Sequence, residues 1–561
     1  SAIYEAYYYG KHTGYDVYFR GGSGKFFYKI EKVKILSKKQ TIDIQNHDVF
    51  VEGHRVNASQ ADAFGQGYFR VKTSFRTYFG KQVSFINNQY RDIYGYFKSL
   101  AEYAESVAEQ NSPLSFLSQS YQRLDDDVRT SVLLDYLQSS LRKLIYKERT
   151  ILPFDFNQSQ AKAITEALNH NITVIEGPPG TGKTQTILNL IANILYSGKN
   201  CAVISNNNTA VENVYEKLEE EKLGFLAAKL GRKTNVLQFF ETDQQDVLTK
   251  FLDQKTLPLT QKELNQMDGL SQTIRRIQDI EVETAVLESQ LIELQHEKRY
   301  YELISDNPLS MKAGLSSDIY LSLTLRLQES RKLWFYERWL MAYRLRLKKW
   351  NTDINNLILS IERLYYISRT RELSHQIEDN KKDLKSLHKE QITKELPLLY
   401  RRLLDQHIYQ HYSKQVVKTY SADDYKLDFK GFLQRYPVVL STSQSLLNNA
   451  PRGFCFDYLI IDEASQGDLL SSTLAMSCAT NLVVVGDSRQ LQQIDEEMLF
   501  EQSELLANQY EVPEAYRYSS NSILKSVKEA VKSVPTTLLK EHYRCAPDII
   551  NFCNKMFYNG E

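Results

Sequence analysis

Eight residues, Gly177 to Thr184, read GPPGTGKT and fit the spacing G-x-x-x-x-G-K-[ST]. Gly177, Gly180 and Gly182 let a backbone approach a ligand closely, and inward-pointing N–H groups can then wrap phosphates. Pro178, Pro179 and Thr181 fill the loop between them, and Gln185 follows it. Lys183 is spaced to reach the β- and γ-phosphates of a nucleoside triphosphate such as ATP, and the Thr184 hydroxyl to ligate Mg²⁺. A turn can match so short a pattern by chance. The context argues otherwise: apolar ITVIE precedes the loop, and KTQTILNLIANILY follows it with helical spacing.

Two further stretches repeat the logic of an apolar strand ending in polar residues. In YLIIDEAS, Asp462 and Glu463 emerge where a buried strand stops. Ligands of parallel α/β sheets bind outside the carboxyl ends of strands. Asp462 is placed to hold Mg²⁺ through water, and Glu463 to orient or deprotonate an attacking water. A lone Asp-Glu pair after a strand is more often a solvated helix start; its pairing with the phosphate loop carries the catalytic reading. In VVVGDSRQL, Gln490 could sense a γ-phosphate. Taken alone, that stretch reads as a turn with Asp487 as a helix cap.

Positioning these residues needs a frame, and strands alternating with helical segments give one. The chain of 561 residues allows several domains. Residues 1–150 form an accessory module, first rich in short aromatic and β-branched strands, then helical from about Tyr94. Residues 151–250 and 431–535 carry the α/β pattern of a parallel sheet. Residues 251–430 between them are helical and charged. Ile277, Ile280, Thr284, Leu287, Leu291 and Leu294 keep a 3-4 spacing, and Leu373, Ile377, Leu384 and Leu387 repeat it. Two such arms predict an antiparallel coiled-coil hairpin inserted into one α/β domain, with Trp334, Trp339 and Trp350 packing its tip or base. The stretch Tyr68–Lys81 alternates aromatic with basic residues; an ordinary half-buried strand is favoured over a base-stacking surface.

Composition narrows the partners. Lys+Arg and Asp+Glu both number 69, so nucleic acid must be bound by a local groove and not by bulk charge. Five cysteines, Cys201, Cys455, Cys478, Cys545 and Cys553, contain no C-x-x-C pair. That reads as a reduced, intracellular, cytoplasmic protein without a zinc site. No apolar run is long enough for a membrane span.

Six stretches occur in order: FNQSQAKAI, GPPGTGKT, SNNNTAVENV, DEASQ, GDSRQL and YRCAPDIINFCNKMFYNG. The set resembles the superfamily 1 helicases of the Upf-like (Nam7-type) branch, over about 154–225 and 436–561. The resemblance implies an α/β, RecA-like P-loop NTPase core with a β-barrel-like N-terminal module and a helical insertion. It implies that Gln160 reads adenine. It implies that Asn206, Asn207, Thr209 and Thr442 lie near single-stranded nucleic acid. It implies that Arg544 reaches the γ-phosphate from a second RecA-like domain, beginning at residues 536–561. The polarity implied is 5′ to 3′. The proline usual after the third motif is replaced here by Gln492 and Gln493. The late motifs, with the family's second arginine, are not in the sequence. The expectation is a chain that binds ATP, hydrolyses it poorly and does not translocate.

Two functional readings stand. One is an ATP-dependent helicase or translocase, acting on DNA in preference to RNA. The other is a nucleotide-switched scaffold, with the coiled-coil insertion as a dock for a protein partner and no unwinding. A helicase module of a repair or phage-defence assembly is a third, resting on analogy alone.

Overall fold

Short apolar runs bounded by turn residues become the strands of one parallel sheet in the computed structural model. The residues described are 3–8, 14–19, 25–29, 36, 38–42, 44, 47–52, 54–87, 89–108, 117–124, 131–241, 245–254, 257–304, 314–329, 339, 343, 354–414, 418–490, 497–541 and 556. The sheet strands are β1 (Ile172–Glu176), β2 (Cys201–Ser205), β3 (Ala227–Lys229), β4 (Val438–Thr442), β5 (Tyr458–Ile461), β6 (Leu482–Gly486) and β7 (Thr536–Leu538). Their spatial order is β3-β4-β2-β5-β6-β1-β7, with every pairing parallel. The central strands are buried along nearly their whole length. Both faces are covered, so the strands read as continuous Val/Ile/Leu runs and not as alternations.

Adjacent residues on β1 mark the two faces. Ile175 packs with Ile187, Leu188 and Ile191 of the Lys183–Tyr196 helix. Val174 lies in a second core with Ile523, Leu524 and Val527 of the Ile523–Ala530 helix. That second core also takes Tyr96, Phe97 and Leu100 of the Gln89–Val107 helix and Tyr136 of Val132–Leu137. The helical part of the N-terminal region is thus packed onto the sheet. Tyr121 fixes it further, its buried hydroxyl donating to Leu470 O at 2.9 Å.

Among the described residues the N-terminal strands form antiparallel sheets of three, three and four strands. Tyr68–Lys81, expected as one strand, is a hairpin: Phe69–Thr73 pairs with Thr77–Gly80. The Thr73 hydroxyl accepts from Arg76 N at 3.0 Å and closes the turn.

The insertion is led by a helix of 44 residues, Gln261–Ile304, lying along Ile354–Ser386 and Lys389–Tyr412. Ion pairs Glu263–Arg402, Glu281–Lys389 and Glu288–Lys381 run in opposite chain order, so the arms are antiparallel. Ile277, Thr284 and Leu294 of the expected seam are buried, as are Leu373 and Ile377 opposite. The tryptophan expectation fails at Trp339. Trp339 is 65% exposed and stacks on Tyr343 instead of packing the hairpin. Trp334 and Trp350 lie outside the described residues. Among the described residues no helix is long and apolar enough to cross a membrane.

Candidate nucleotide site

The phosphate loop hangs from the end of β1. Gly180 and Gly182 sit at φ +87° and +82°, where an L side chain is strained. A Cβ on Gly177 would come within 2.5 Å of Thr181 Oγ1. The loop is closed from inside: Thr181 Oγ1 donates to Pro178 O at 2.8 Å, and Gly177 N to Gly486 O at 2.9 Å. Lys183, Thr184 and Gln185 open the following helix, whose N-terminus favours an anion. These glycines leave the concave, donor-rich cradle that a triphosphate needs.

Gln160 braces the cradle. It is 2% exposed and belongs to a capping box with Asn157. Its amide accepts from Asn157 N at 3.0 Å and donates to Thr181 O at 3.1 Å and Gly182 O at 3.4 Å. Both ends of the amide are therefore engaged by protein.

One strand separates β1 from β5, and the carboxyl edge brings their chemistry together across it. Lys183 Nζ stands 3.4 Å from Glu463 Oε1, with the lysine side chain 10% exposed. Glu463 holds a left-handed backbone at φ +50°, uncommon for a residue with a side chain. Its N–H donates to Asp462 Oδ1 at 2.9 Å. Its Oε2 is buried without a hydrogen-bond partner among the described residues. Asp462 is buried, and that burial, with the Glu463 charge beside it, pushes its carboxyl up to about 6 against the pull of Glu463 N–H and Lys183. A carboxylate so placed is suited to a cation, which would offset its desolvation. Asp462 and Thr184 are the residues that would hold Mg²⁺.

β6 lets the two halves close. A Cβ on Gly486 would press to 3.1 Å from Ser465 N, so glycine admits the turn after Glu463. Buried Asp487 shapes the next turn, accepting from Arg489 N at 3.0 Å, and Gln490 N donates to Asp487 O at 3.1 Å. The turn reading of this stretch is thus present, with Asp487 as its acceptor. Arg544 lies outside the described residues.

Asn206, Asn207, Thr209 and Thr442 gather at the carboxyl ends of neighbouring β2 and β4, where Ser205 pairs with Thr442. The first three are exposed. Asn206 Nδ2 donates to Gln466 O at 3.3 Å and Asp468 Oδ2 at 3.1 Å, tying this edge to the turn after Glu463. Asn207 caps the Asn208–Glu220 helix by accepting from Thr209 N at 2.9 Å. Thr442 donates to Ser445 Oγ at 2.9 Å and lines a cleft of about 380 Å³ with Tyr215, Lys229 and Asn235. Sequence reasoning missed Ser465, Lys525 and Lys528, which crowd the far side of the Glu463 turn. The two lysines show only as an i, i+3 pair in an otherwise ordinary amphipathic helix.

Comparison with known proteins agrees with this geometry. Residues 155–494 match the model of a family described as AAA domain. An uncharacterised ATP-dependent helicase of Mycoplasma genitalium is 24% identical, over 78% of this chain and 49% of that protein. Another of Methanocaldococcus jannaschii is 21% identical, over 83% of this chain and 52% of its own length. The DNA polymerase alpha-associated DNA helicase A of Saccharomyces cerevisiae is 26% identical over 147 residues, 23% of this chain and 22% of that helicase. The chain spans about half the length, or less, of these relatives. Since the family model covers more than half of the chain, and relatives of this kind accompany it, the protein belongs to this AAA-domain family and, within it, to the superfamily 1 helicases.

Proposed function

We propose that the chain is the nucleotide-hydrolysing part of an ATP-driven helicase or translocase acting on single-stranded nucleic acid, DNA in preference to RNA, with 5′ to 3′ polarity. The observation that carries this is the Lys183–Glu463 pair at 3.4 Å across the carboxyl edge of the sheet, with Glu463 Oε2 unpartnered. The cradle binds the phosphates, and Lys183 exchanges its carboxylate partner for the γ-phosphate. Glu463 Oε2 then orients a water and takes its proton as the water oxygen attacks phosphorus and the bond to ADP breaks. Mg²⁺ on Thr184 and Asp462 would neutralise charge developing on the phosphates. Gln490 and Arg544 complete the set at the γ-phosphate. Gln160 meets adenine by giving up a loop carbonyl for the base.

The arrangement of Asn206, Asn207, Thr209 and Thr442 along one edge supports a strand path linked to the nucleotide through the Asn206–Asp468 contact. Relatives named as DNA helicases support the DNA preference. The test is ATP turnover by this chain with and without single-stranded DNA or RNA, beside Lys183→Ala. Weak turnover by this chain, raised only modestly by one strand type and lost in Lys183→Ala, is expected. Nucleotide binding without stimulation by either would replace the motor with the nucleotide-switched scaffold.

A further inference from the structure

Behind the Glu463 turn, on the face of the sheet opposite the Lys183–Tyr196 helix, lies a cavity of about 110 Å³. It has room for several water-sized groups. Ser465, Ser488, Gln490, Ser522, Leu524, Lys525, Lys528 and Glu529 line it. Its lining surface is mostly carbon, with the hydroxyls of Ser465, Ser488 and Ser522, the Gln490 amide and the Lys525 and Lys528 ammonium groups set into it. Ser465 is 1% exposed, and its Oγ has no hydrogen-bond partner among the described residues. Such groups are rare enough in folded proteins to need an explanation, and a polar ligand supplies one.

The charges are arranged unevenly. Lys528 Nζ is 2.6 Å from Glu176 Oε1, at the end of β1. Lys525 Nζ donates to the Ser520 carbonyl at 3.0 Å. The cavity runs along the Ile523–Ala530 helix from its N-cap Ser522 to Glu529, and the helix N-terminus at one end of it favours an anion. Glu529 is the opposing charge and is exposed.

We infer that this cavity receives inorganic phosphate, as a station for the product leaving the nucleotide site. Gln490 and Ser465 connect it to that site, since Ser465 follows Glu463 by two residues and Gln490 lies in the turn after β6. Donors from Ser465, Ser488 and Lys525 hold the anion, while Glu529 weakens the hold and so permits release. The source of the phosphate rests on the ATP-hydrolysis reading; the pocket's affinity for phosphate does not.

The test is equilibrium dialysis of radiolabelled inorganic phosphate against the whole chain with saturating ADP, which occupies the cradle. Phosphate binding is expected to weaken about tenfold in Lys525→Gln, the size of losing one charge-assisted hydrogen bond. It is expected to tighten in Glu529→Gln, a gain that damage to the fold would not produce. Absence of binding beside ADP overturns the inference. So does binding that Lys183→Ala removes and that Lys525→Gln and Glu529→Gln leave alone. If ADP fails to bind but phosphate remains sensitive to both charge variants, the pocket stands and the ATP reading falls.

Discussion

Glu463 shows how a residue can be singled out from sequence while its conformation cannot. Its place after an apolar strand, paired with the phosphate loop, marked it in the sequence as a catalytic carboxylate. Nothing in YLIIDEAS announces φ +50° or an unpartnered Oε2, because both depend on Gly486 letting the turn descend onto β6. The geometry separates binding from chemistry. Glu463→Gln keeps the shape and removes the base, so turnover is expected to fall roughly 100- to 10,000-fold. It also releases Lys183 from its ion pair, so a fluorescent ATP analogue is expected to bind at least as tightly as to the parent chain. Weaker binding together with lost turnover would mean that Glu463 shapes the cradle. Gly182 offers a second residue-scale test, because its φ of +82° and the Gln160 amide act against a side chain together. Gly182→Ala is expected to cost about 1–2 kcal/mol from the backbone alone, with a further loss from the clash. In a denaturant-unfolding cycle, Gln160→Ala should recover the steric part and leave the backbone part.

At the scale of elements, periodicity fixed faces better than it fixed ends. The 3-4 spacing from Ile277 to Leu294 selected one face of the arm, on which Ile277, Thr284 and Leu294 are buried and Ile280, Leu287 and Leu291 half-buried, because a helix repeats its face every three to four residues whatever lies beyond it. The same pattern cannot say where the hairpin turns, and the placement of Trp339 failed for that reason. Tyr68–Lys81 failed similarly: alternation is identical in one long strand and in a hairpin, and only Thr73 holding Arg76 N makes the turn. The seam gives a direct comparison. Ile277 is fully buried and Val282, one and a half turns along, is 49% exposed. Ile277→Ala is expected to cost about 2–5 kcal/mol by urea unfolding. Val282→Ala should stay within about 0.5 kcal/mol. Equal costs would mean that Val282 is covered in solution and that the arm has a partner.

Over the whole molecule, the sheet divides its labour between two edges. The carboxyl edge carries the cradle, the acidic pair and the proposed phosphate pocket, as parallel sheets require. The amino edge joins the core to the insertion through a cavity of about 340 Å³, lined by His407, His411 and Tyr412 from the arm and by Lys199, Cys455 and Asp457 from the starts of strands. His407 also packs against the Tyr196 ring at the end of the phosphate-loop helix, at 5.2 Å. This joint left no sequence signature, since two histidines four apart on a helix are ordinary. Burial holds the His407 imidazolium below its usual value of 6.5; nearby His411 adds to this, and Glu148 opposes it. The unfolded chain therefore takes up the proton first as pH falls. The stability supplied by the neutral ring is complete above about pH 6.5 and is lost as pH drops through the folded value. His407→Leu removes the titration and keeps an apolar body. It is expected to flatten the fall in unfolding midpoint between about pH 7.5 and about pH 5.5, gaining no more than about 1 kcal/mol because the ring is only half buried. An unchanged pH slope would show that the joint does not titrate with folding and that the arm's hold on the sheet rests on its apolar contacts alone.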